Sequence, residues 1–449
     1  MSTPQGSRYR RPKPLSPLRE HLRDTFWFAP AFGLALTVLV WFLAALVDSE
    51  VVSLLREWGS YDELGELIGI AEDAKTIITT VSSAMMTFIG VVFSISLVAV
   101  QMASGQLTPR VVRIFVRSRI TKLTFSVFLA TFVMSLLVLA GYEGETDPRL
   151  VSSVPLVQSA LTMAMVALSL VLFIAYVNST LRLMRVGYVL DRISREAVAV
   201  LRKQERGWEE GASLGAETAR ISYEGRAGVL RDVHIARLVR VAARRGVVLR
   251  LIPRIGDFVV PGTPVIAVHG GPAPAAKALR HSVSVGVERT FHQDLGFGLR
   301  QLSDIALRAL SPAVNDPTTA VQAIDRIVQF LSVAVALPLG ALHHREKDGT
   351  VRFVQSVPAW GDLVDLGFSE IRTVLHGNPQ VSRRLMAGLD DLVLLAAGQQ
   401  EGHEEQEGYE DRCAPLLRHR ALLVEMVERT APEAADREFA LRPDRQGIG

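Results

Sequence analysis

Four long apolar segments in the first 180 residues constrain this chain more than any other feature. An α-helix needs an apolar run of about 20 residues to cross the hydrocarbon core of a bilayer. The sequence predicts four such helices, at about residues 26–47, 76–104, 123–142 and 154–177. The first run is too long for the core of a cleaved signal peptide, so we interpret it as a retained span. The composition agrees, because 49% of the residues are hydrophobic and 21% are charged.

The distribution of charge between these runs predicts their orientation. Lysine and arginine are concentrated in the tail of residues 1–25, in the loop between the second and third spans, and after the fourth span, whereas the other two loops are acidic. The positive-inside rule then predicts a multi-pass protein of the plasma membrane with both termini in the cytoplasm. The acidic stretch 48–75 has the apolar spacing of short amphipathic helices at the outer surface.

The basic loop has three possible interpretations. Apolar residues alternate with cations in it, which is typical of a helix that lies on the anionic inner leaflet. The cations could instead only determine topology, or form a ring of positive charge near a pore mouth. The cations concerned are Arg110, Arg113, Arg117, Arg119 and Lys122.

The second span carries a polar stripe, defined as the small and polar residues that recur at helical spacings of three, four and seven. Its members are Thr76, Thr80, Ser83, Thr87, Gly90, Ser94, Gln101 and Ser104. Such residues are common where membrane helices pack closely, and they can also line a pore. None of the four predicted cores contains an aspartate, glutamate, lysine, arginine or histidine, which argues against an ion-coupled transporter.

From residue 181 the pattern becomes that of a soluble protein. We predict a helical extension and a glycine-rich linker over residues 181–219, and an α/β domain over 220–400. Within that domain, short strands surround one helix between residues 221 and 268, and a strand pair occupies 341–359. Residues 401–449 are expected to form an acidic loop, a C-terminal helix and a disordered tail. The predicted fold class is therefore a four-span α-helical integral membrane protein with a C-terminal mixed α/β cytoplasmic domain.

The NDPTT motif at residues 315–319 is the clearest polar constellation of the soluble region. Asp316 followed by Pro317 has the pattern of a helix N-cap and first helical residue. A helix–turn–helix could bring polar residues of the preceding helix to this turn. The resulting cluster could fix an oligomer interface, bind a ligand or only stabilise the turn. The five members of this predicted cluster are Arg300, Gln301, Asp304, Asn315 and Asp316.

Several function classes are disfavoured by what the sequence lacks. It has no phosphate-binding loop, no G-x-S-x-G elbow and no H-E-x-x-H motif, so we expect neither an enzyme nor a cofactor or metal site. The basic residues lie beside apolar segments, which argues against nucleic-acid binding. Cys413 is the single cysteine, so no intramolecular disulfide can form.

Three passages resemble a bacterial family of predicted membrane proteins known as domain of unknown function 2254. They are GVVFSISLVAVQMASGQLTPRVVRIF from Gly90, GVVLRLIPRIGDFVVPGTPV from Gly246, and FGLRQLSDIALRALSPAVNDPTTAVQAID from Phe297. The resemblance implies an integral membrane protein with a cytoplasmic C-terminal region. It implies no activity, substrate or catalytic residue.

Two functional hypotheses follow. The first is a homo-oligomeric channel-like or permeation protein, with the second span near the pore and a cytoplasmic regulatory domain. The second is a membrane-anchored sensor or scaffold whose cytoplasmic domain binds a ligand or a protein partner. In both, the expected partners are further copies of the chain and a bilayer with an anionic inner leaflet.

Overall fold

The computed structural model describes residues 25–106, 118–142, 153–204, 214–279, 281–375, 378–400 and 411–446. The boundary between its two compact units lies between Arg185 and Val186. In the described part of the chain, the N-terminal unit consists of four long helices. These are α1 (Phe28–Glu57), α2 (Tyr61–Gln106), α3 (Arg119–Ala140) and α4 (Leu156–Leu183).

All four helices are long and apolar enough to span a membrane. Helix α3 is the central one, because 44% of its most apolar stretch is buried against 17% in each of the others. The outer surface of the unit is apolar and includes Phe32, Val171 and Ile174 among its exposed side chains. A soluble protein rarely exposes so much contiguous apolar surface. The N-terminal unit therefore has the surface of a membrane-spanning bundle.

The acidic stretch 48–75 does not form the short separate helices that its apolar spacing predicts. Helix α1 continues to Glu57, Gly59 turns the chain with a φ of 71°, and α2 then runs without interruption from Tyr61. No proline occurs in α2, so nothing in its sequence removes a backbone donor or breaks the helix. Leu64 packs with Val52 and with the chain that leads into α4, which joins the ends of α1 and α2 as a hairpin.

The C-terminal unit combines two sheets with a helical layer. Its strands are β1 (Glu217–Ser222), β2 (Gly228–Val233), β3 (Val248–Leu251), β4 (Phe258–Val259), β5 (Pro264–His269), β6 (Val283–Gly286), β7 (Ala341–Arg345) and β8 (Val351–Ser356). Its helices are α5 (Val186–Gln204), α6 (Ile235–Arg245), α7 (Ala276–Leu279), α8 (Phe297–Ala309), α9 (Pro317–Ala334), α10 (Trp360–Val374), α11 (Pro379–Gln400), α12 (Cys413–Thr430) and α13 (Ala434–Leu441).

The larger sheet has the order β1-β5-β3-β8-β7, and among these described strands β3 and β8 are the one parallel pair. The smaller sheet has the order β4-β2-β6. Leu238 and Ala242 on α6 belong to the core that includes Leu249, Val268 and Phe353 of the larger sheet. This core explains why the short predicted strands gather around a single helix.

The helical layer differs from the prediction at three places. The helix expected to continue from the fourth span ends at Leu183, and α5 begins separately at Val186. Helix α10 begins at Trp360, whose apolar side chain is fully buried, rather than near residue 367. Helix α13 lies in the stretch predicted to be disordered, and Asp444 beyond it pairs with the buried Arg383 of α11 at 3.1 Å.

Candidate functional site: the outward face of the second helix

Helix α2 packs on the bundle through one narrow line of apolar side chains. The buried members of this line recur at every seventh residue and are Leu64, Ala71, Ile78, Met85, Val92 and Ala99. A seven-residue repeat is the pattern that keeps one helix edge against its neighbours over a long distance. The neighbours that α2 contacts most are α3 and α4.

The polar stripe lies on the opposite side of α2. Thr80, Thr87 and Ser94 each follow a buried residue of the packed line by two positions, which is a rotation of about 200° on an α-helix. The described side chains of the stripe are all exposed: Thr76, Thr80, Ser83, Thr87, Ser94 and Gln101. The side chain of Ser104 lies outside the described set. At Gly90 an added methyl group would meet no atom within 4 Å.

The hydroxyls near the start of the stripe donate to their own helix. Thr80 Oγ1 donates to the carbonyl of Thr76 at 3.1 Å, and Ser83 Oγ donates to that of Thr79 at 3.2 Å. This local bonding satisfies the donor and leaves the oxygen lone pairs available outside the helix. The stripe is therefore a neutral surface that can accept hydrogen bonds.

Helix-packing hydroxyls occur elsewhere in the same bundle. Thr131 of α3 lies 3.1 Å from Ser169 of α4, oxygen to oxygen, and both residues are buried. Thr124 of α3 donates to the carbonyl of Leu172 at 3.4 Å. These contacts have the character expected of small polar residues between membrane helices. The described helices of the bundle do not cover the polar stripe in this way.

One buried carboxylate enters the bundle one residue after the predicted first span. Asp48 is 1% exposed and accepts hydrogen bonds from the backbone N–H groups of Val157 and Gln158, at 2.8 and 3.2 Å. Pro155, the N-cap residue of α4, makes no side-chain cap bond. Asp48 therefore caps α4 from a different helix, and a negative charge is favourable at that helix terminus. The sequence gives no sign of this contact, because it joins residues more than 100 positions apart.

The basic loop is described only at its end. Arg119 is the first residue of α3 and is exposed, and Lys122 Nζ donates to the carbonyl of Thr25 at 3.1 Å. The predicted inner-leaflet contacts Arg110, Arg113 and Arg117 lie outside the described residues. The two described cations thus lie in the first turn of α3.

The predicted polar cluster of the C-terminal unit separates into two groups. Arg300 donates to Asp304 at 2.7 Å and forms a bidentate ion pair with Glu370 of α10, at 2.5 and 2.9 Å. This guanidinium holds the pKa of the Glu370 carboxyl below its ordinary value. Gln301, the next residue in the sequence, is buried, and its Oε1 atom has no hydrogen-bond partner among the described residues.

The second group, Asn315 and Asp316 at the turn, bonds only to residues close to it in the sequence. Asp316 caps α9 by accepting from the backbone N–H and the hydroxyl of Thr319, at 3.0 and 2.6 Å, as its position before Pro317 predicts. Asn315 takes a left-handed φ of 48°. Arg300 lies nine residues before the end of α8, about 14 Å along the helix axis. The fold-back therefore leaves the turn beside the far end of α8 rather than beside Arg300.

A second polar network precedes α8 and was not predicted. Asp294, which is 3% exposed on its side chain, pairs with Arg289 through two hydrogen bonds of 2.8 and 2.9 Å. Gln293 has a left-handed φ of 59° and donates to Asp232 at 2.6 Å. Its amide also bonds both the N–H and the carbonyl of Val233. The run RTFHQD in the sequence, with five polar side chains before an apolar helix, is the signal that could have revealed it.

The chain matches the family model described as "Predicted membrane protein (DUF2254)" over residues 23–391. The chain belongs to this family. The match extends from the region just before α1 into α11, so α12 and α13 of this family member lie beyond it.

Similar proteins occur in mycobacteria. Uncharacterized protein Rv1290c of Mycobacterium tuberculosis is 27% identical over 442 residues, which cover 95% of this chain and 79% of the relative. Uncharacterized protein Mb1321c of Mycobacterium bovis has the same identity and coverage. No solved structure matches the chain. Neither the family description nor these names state an activity.

Proposed function

We propose that this protein is a homo-oligomeric permeation protein of the plasma membrane in which the polar stripe of α2 faces the axis of the assembly. The observation that carries this proposal is the exposure of the stripe on the side of α2 away from the packed line. In a bilayer, a hydroxyl-bearing face has more to gain from water or a second subunit than from lipid. On this proposal the chain carries no catalytic step.

The bundle geometry favours a pore between subunits over a pore within one. Its centre is occupied by α3, whose Phe128 and Met134 side chains are only 1% and 0% exposed. A solute path therefore needs several copies, and closed rotational symmetry would bring the same face of each α2 to one axis. Both termini would lie in the cytoplasm, in agreement with the basic loops, and the C-terminal unit would regulate the opening.

Flux through vesicles tests permeation directly. The full-length protein in liposomes should release small ions or neutral solutes faster than vesicles that contain Thr87→Leu, since leucine replaces the hydroxyl with a larger apolar group. Met86→Leu is the matched control, because Met86 is the exposed apolar neighbour of Thr87. Vesicles that stay tight at every potential and tension would contradict the proposal.

Cysteine chemistry tests the orientation of α2 without assuming flux. In a Cys413→Ala background, single cysteines at Thr80, Thr87 or Ser94 should cross-link to the same position of another copy. A cysteine at Ile174, an exposed apolar position on α4, should not. Cross-linking restricted to α4 would assign the interface to another face.

A sensor is the rival function, and a cavity in the C-terminal unit favours it. The cavity has a volume of about 250 Å³ and lies where β1 and β6, the end strands of the two sheets, come together. Ile221, Ile266 and Val283 line it together with Tyr223 and His281. Tight vesicles, combined with a small molecule that raises the thermal stability of the protein and loses this effect on Val283→Trp, would favour the sensor.

A further inference from the structure

The segment between Asp232 and Asp257 carries a local excess of positive charge. Its 24 residues contain six arginines and no aspartate, glutamate or lysine. The formal charge of this segment is therefore +6, whereas that of the whole chain is +3, so the remaining residues are net negative. Helix α6 holds four of the six arginines and no acidic residue. The excess is thus concentrated on one short helix.

Three of these arginines form a row along the outward face of α6. This arginine row consists of Arg237, Arg240 and Arg244. On an α-helix these positions lie within about 60° of one another. The fully buried Leu238 and Ala242 lie on the other side of the helix, where they belong to the core under the larger sheet. Arg240 and Arg244 are exposed, and Arg237 is half-buried.

Interactions within the protein do not explain the arginine row. Among the described residues, no carboxylate forms an ion pair with Arg240 or Arg244. These two residues are four positions apart, a spacing at which like charges destabilise a helix. The helix macrodipole favours a cation in the last turn, which accounts for Arg244 but not for Arg237 in the first turn. The row therefore keeps a repulsion that an external anion would relieve.

Membrane topology does not explain the row either. The positive-inside rule acts on charges within about 15–20 residues of a span, whereas α6 begins 52 residues after Leu183, the last residue of α4. The C-terminal unit begins at Val186, directly after α4. Because the chain tethers this unit to a membrane helix, lipid headgroups are present at a high effective concentration. Anionic headgroups have the charge that complements the row.

We propose that the arginine row of α6 binds the phosphates of anionic phospholipid headgroups at the membrane surface. The proposal rests on the membrane location in the proposed function and is independent of permeation. The row extends about 10 Å along the helix, so its three guanidinium groups can lie against a flat surface at the same time. The attraction decays within a Debye length, about 8 Å at physiological salt. The charge of the leaflet therefore determines how firmly the C-terminal unit is held at the bilayer.

Fluorescence quenching tests this contact in the full-length protein. A fluorophore is attached to Ala243→Cys, a partly exposed position beside the row, in a Cys413→Ala background. The protein is placed in nanodiscs of phosphatidylcholine alone or of equal parts of phosphatidylcholine and phosphatidylglycerol, each with a trace of phosphatidylcholine that is spin-labelled on its headgroup. We expect quenching in the discs that contain phosphatidylglycerol, a decrease of this quenching at high salt, and little quenching in phosphatidylcholine alone.

Charge variants test the row itself. Arg240→Gln combined with Arg244→Gln should lower the equilibrium constant of the contact about 30-fold, the equivalent of about 2 kcal/mol for two cations near an anionic surface. The corresponding pair of lysine substitutions should retain the contact, because a surface of headgroups attracts positive charge of either kind. Arg429→Gln is the matched control, since Arg429 is exposed in the last turn of α12. Removing like charges should not lower the melting temperature, which separates a lost contact from a lost fold.

Three results would overturn the proposal. The first is equal quenching in the two kinds of disc, and the second is quenching that follows phosphatidylglycerol but survives the pair of glutamine substitutions. The third is absence of quenching. In that case, a carbodiimide cross-link between the lysine variant and residues 401–410 would identify the acidic segment of the chain as the partner of the row.

The outcomes separate this proposal from permeation. Vesicle flotation first establishes that the protein is in the bilayer. Quenching that depends on phosphatidylglycerol, in protein that leaves vesicles tight, would support the arginine row and refute the pore. Flux without quenching would do the reverse.

Discussion

Replacing Asp48 should destabilise the N-terminal unit through the start of α4. Asp48→Ala leaves the N–H groups of Val157 and Gln158 without the acceptors that they have in the native protein. Because these groups are shielded by the α1–α2 hairpin and by Tyr142, which bonds Ser159 and the carbonyl of Ala71, water replaces the carboxylate poorly.

The geometry gives the size of the effect. Loss of an N-cap side chain costs about 0.5–2 kcal/mol, and hydrogen bonds to charged groups lie in the upper part of the range for single bonds. Asp48 makes two such bonds and is 1% exposed, so we expect about 2 kcal/mol for Asp48→Ala. Asp48→Asn keeps one acceptor oxygen and should cost about half as much.

Two measurements check this prediction. Unfolding in detergent micelles, followed by tryptophan fluorescence, gives the change in free energy. Hydrogen exchange at the amides of Val157 and Gln158 should accelerate about 30-fold, which corresponds to about 2 kcal/mol. Glu50→Ala is the control, since Glu50 is exposed on the same helix and should change stability by less than about 0.5 kcal/mol.

Equal unfolding free energies for Asp48→Ala and Glu50→Ala would refute the capping argument. So would faster exchange spread evenly over all four helices, because a cap acts first on the turn that it closes.

Two further predictions concern the C-terminal unit. Burial lowers the pKa of His419, although the hydrogen bond that its Nε2 atom makes to the Asp365 carboxylate opposes this shift. The unfolded state therefore binds a proton more readily than the folded state, so the melting temperature should fall as the pH decreases below about 6.5. The variant His419→Gln should not show this decrease. Gly298→Ala places a methyl group 2.4 Å from Cβ of Ala197, so it should lower the free energy of unfolding in chemical denaturation by about 1–3 kcal/mol. Gly398→Ala, whose added methyl group meets no atom within 4 Å, should be neutral or stabilising. A stabilised Gly298→Ala variant would contradict the packing argument, and a pH dependence that persists in His419→Gln would contradict the histidine argument.

The sequence predicted best the features that depend on neighbouring residues. The four long helices follow from hydropathy, because a helix in lipid satisfies its own backbone. The cap at Asp316 follows from its place three residues before its partner Thr319. The strands near Val248 and Val265 follow from turn residues and apolar runs.

The features that the sequence did not predict depend on distant partners. Glu370, which binds Arg300, is 70 residues away from it. Asp48 is 109 and 110 residues away from Val157 and Gln158, the two residues whose N–H groups it caps. The boundary of α2 was missed for a different reason. Charges at residues 62–75 suggest a surface segment, but they do not end a helix that contains no proline and packs at Leu64 and Ala71.

The length of α2 has a mechanical consequence. Its 46 residues form a rod of about 69 Å, more than twice the roughly 30 Å of a hydrocarbon core. Because one line of side chains joins it to the bundle from Leu64 to Ala99, a tilt imposed at the hairpin end is carried along the same helix to its other end. An antibody fragment that binds residues 61–70 and tilts this end of the helix would therefore also displace its far end.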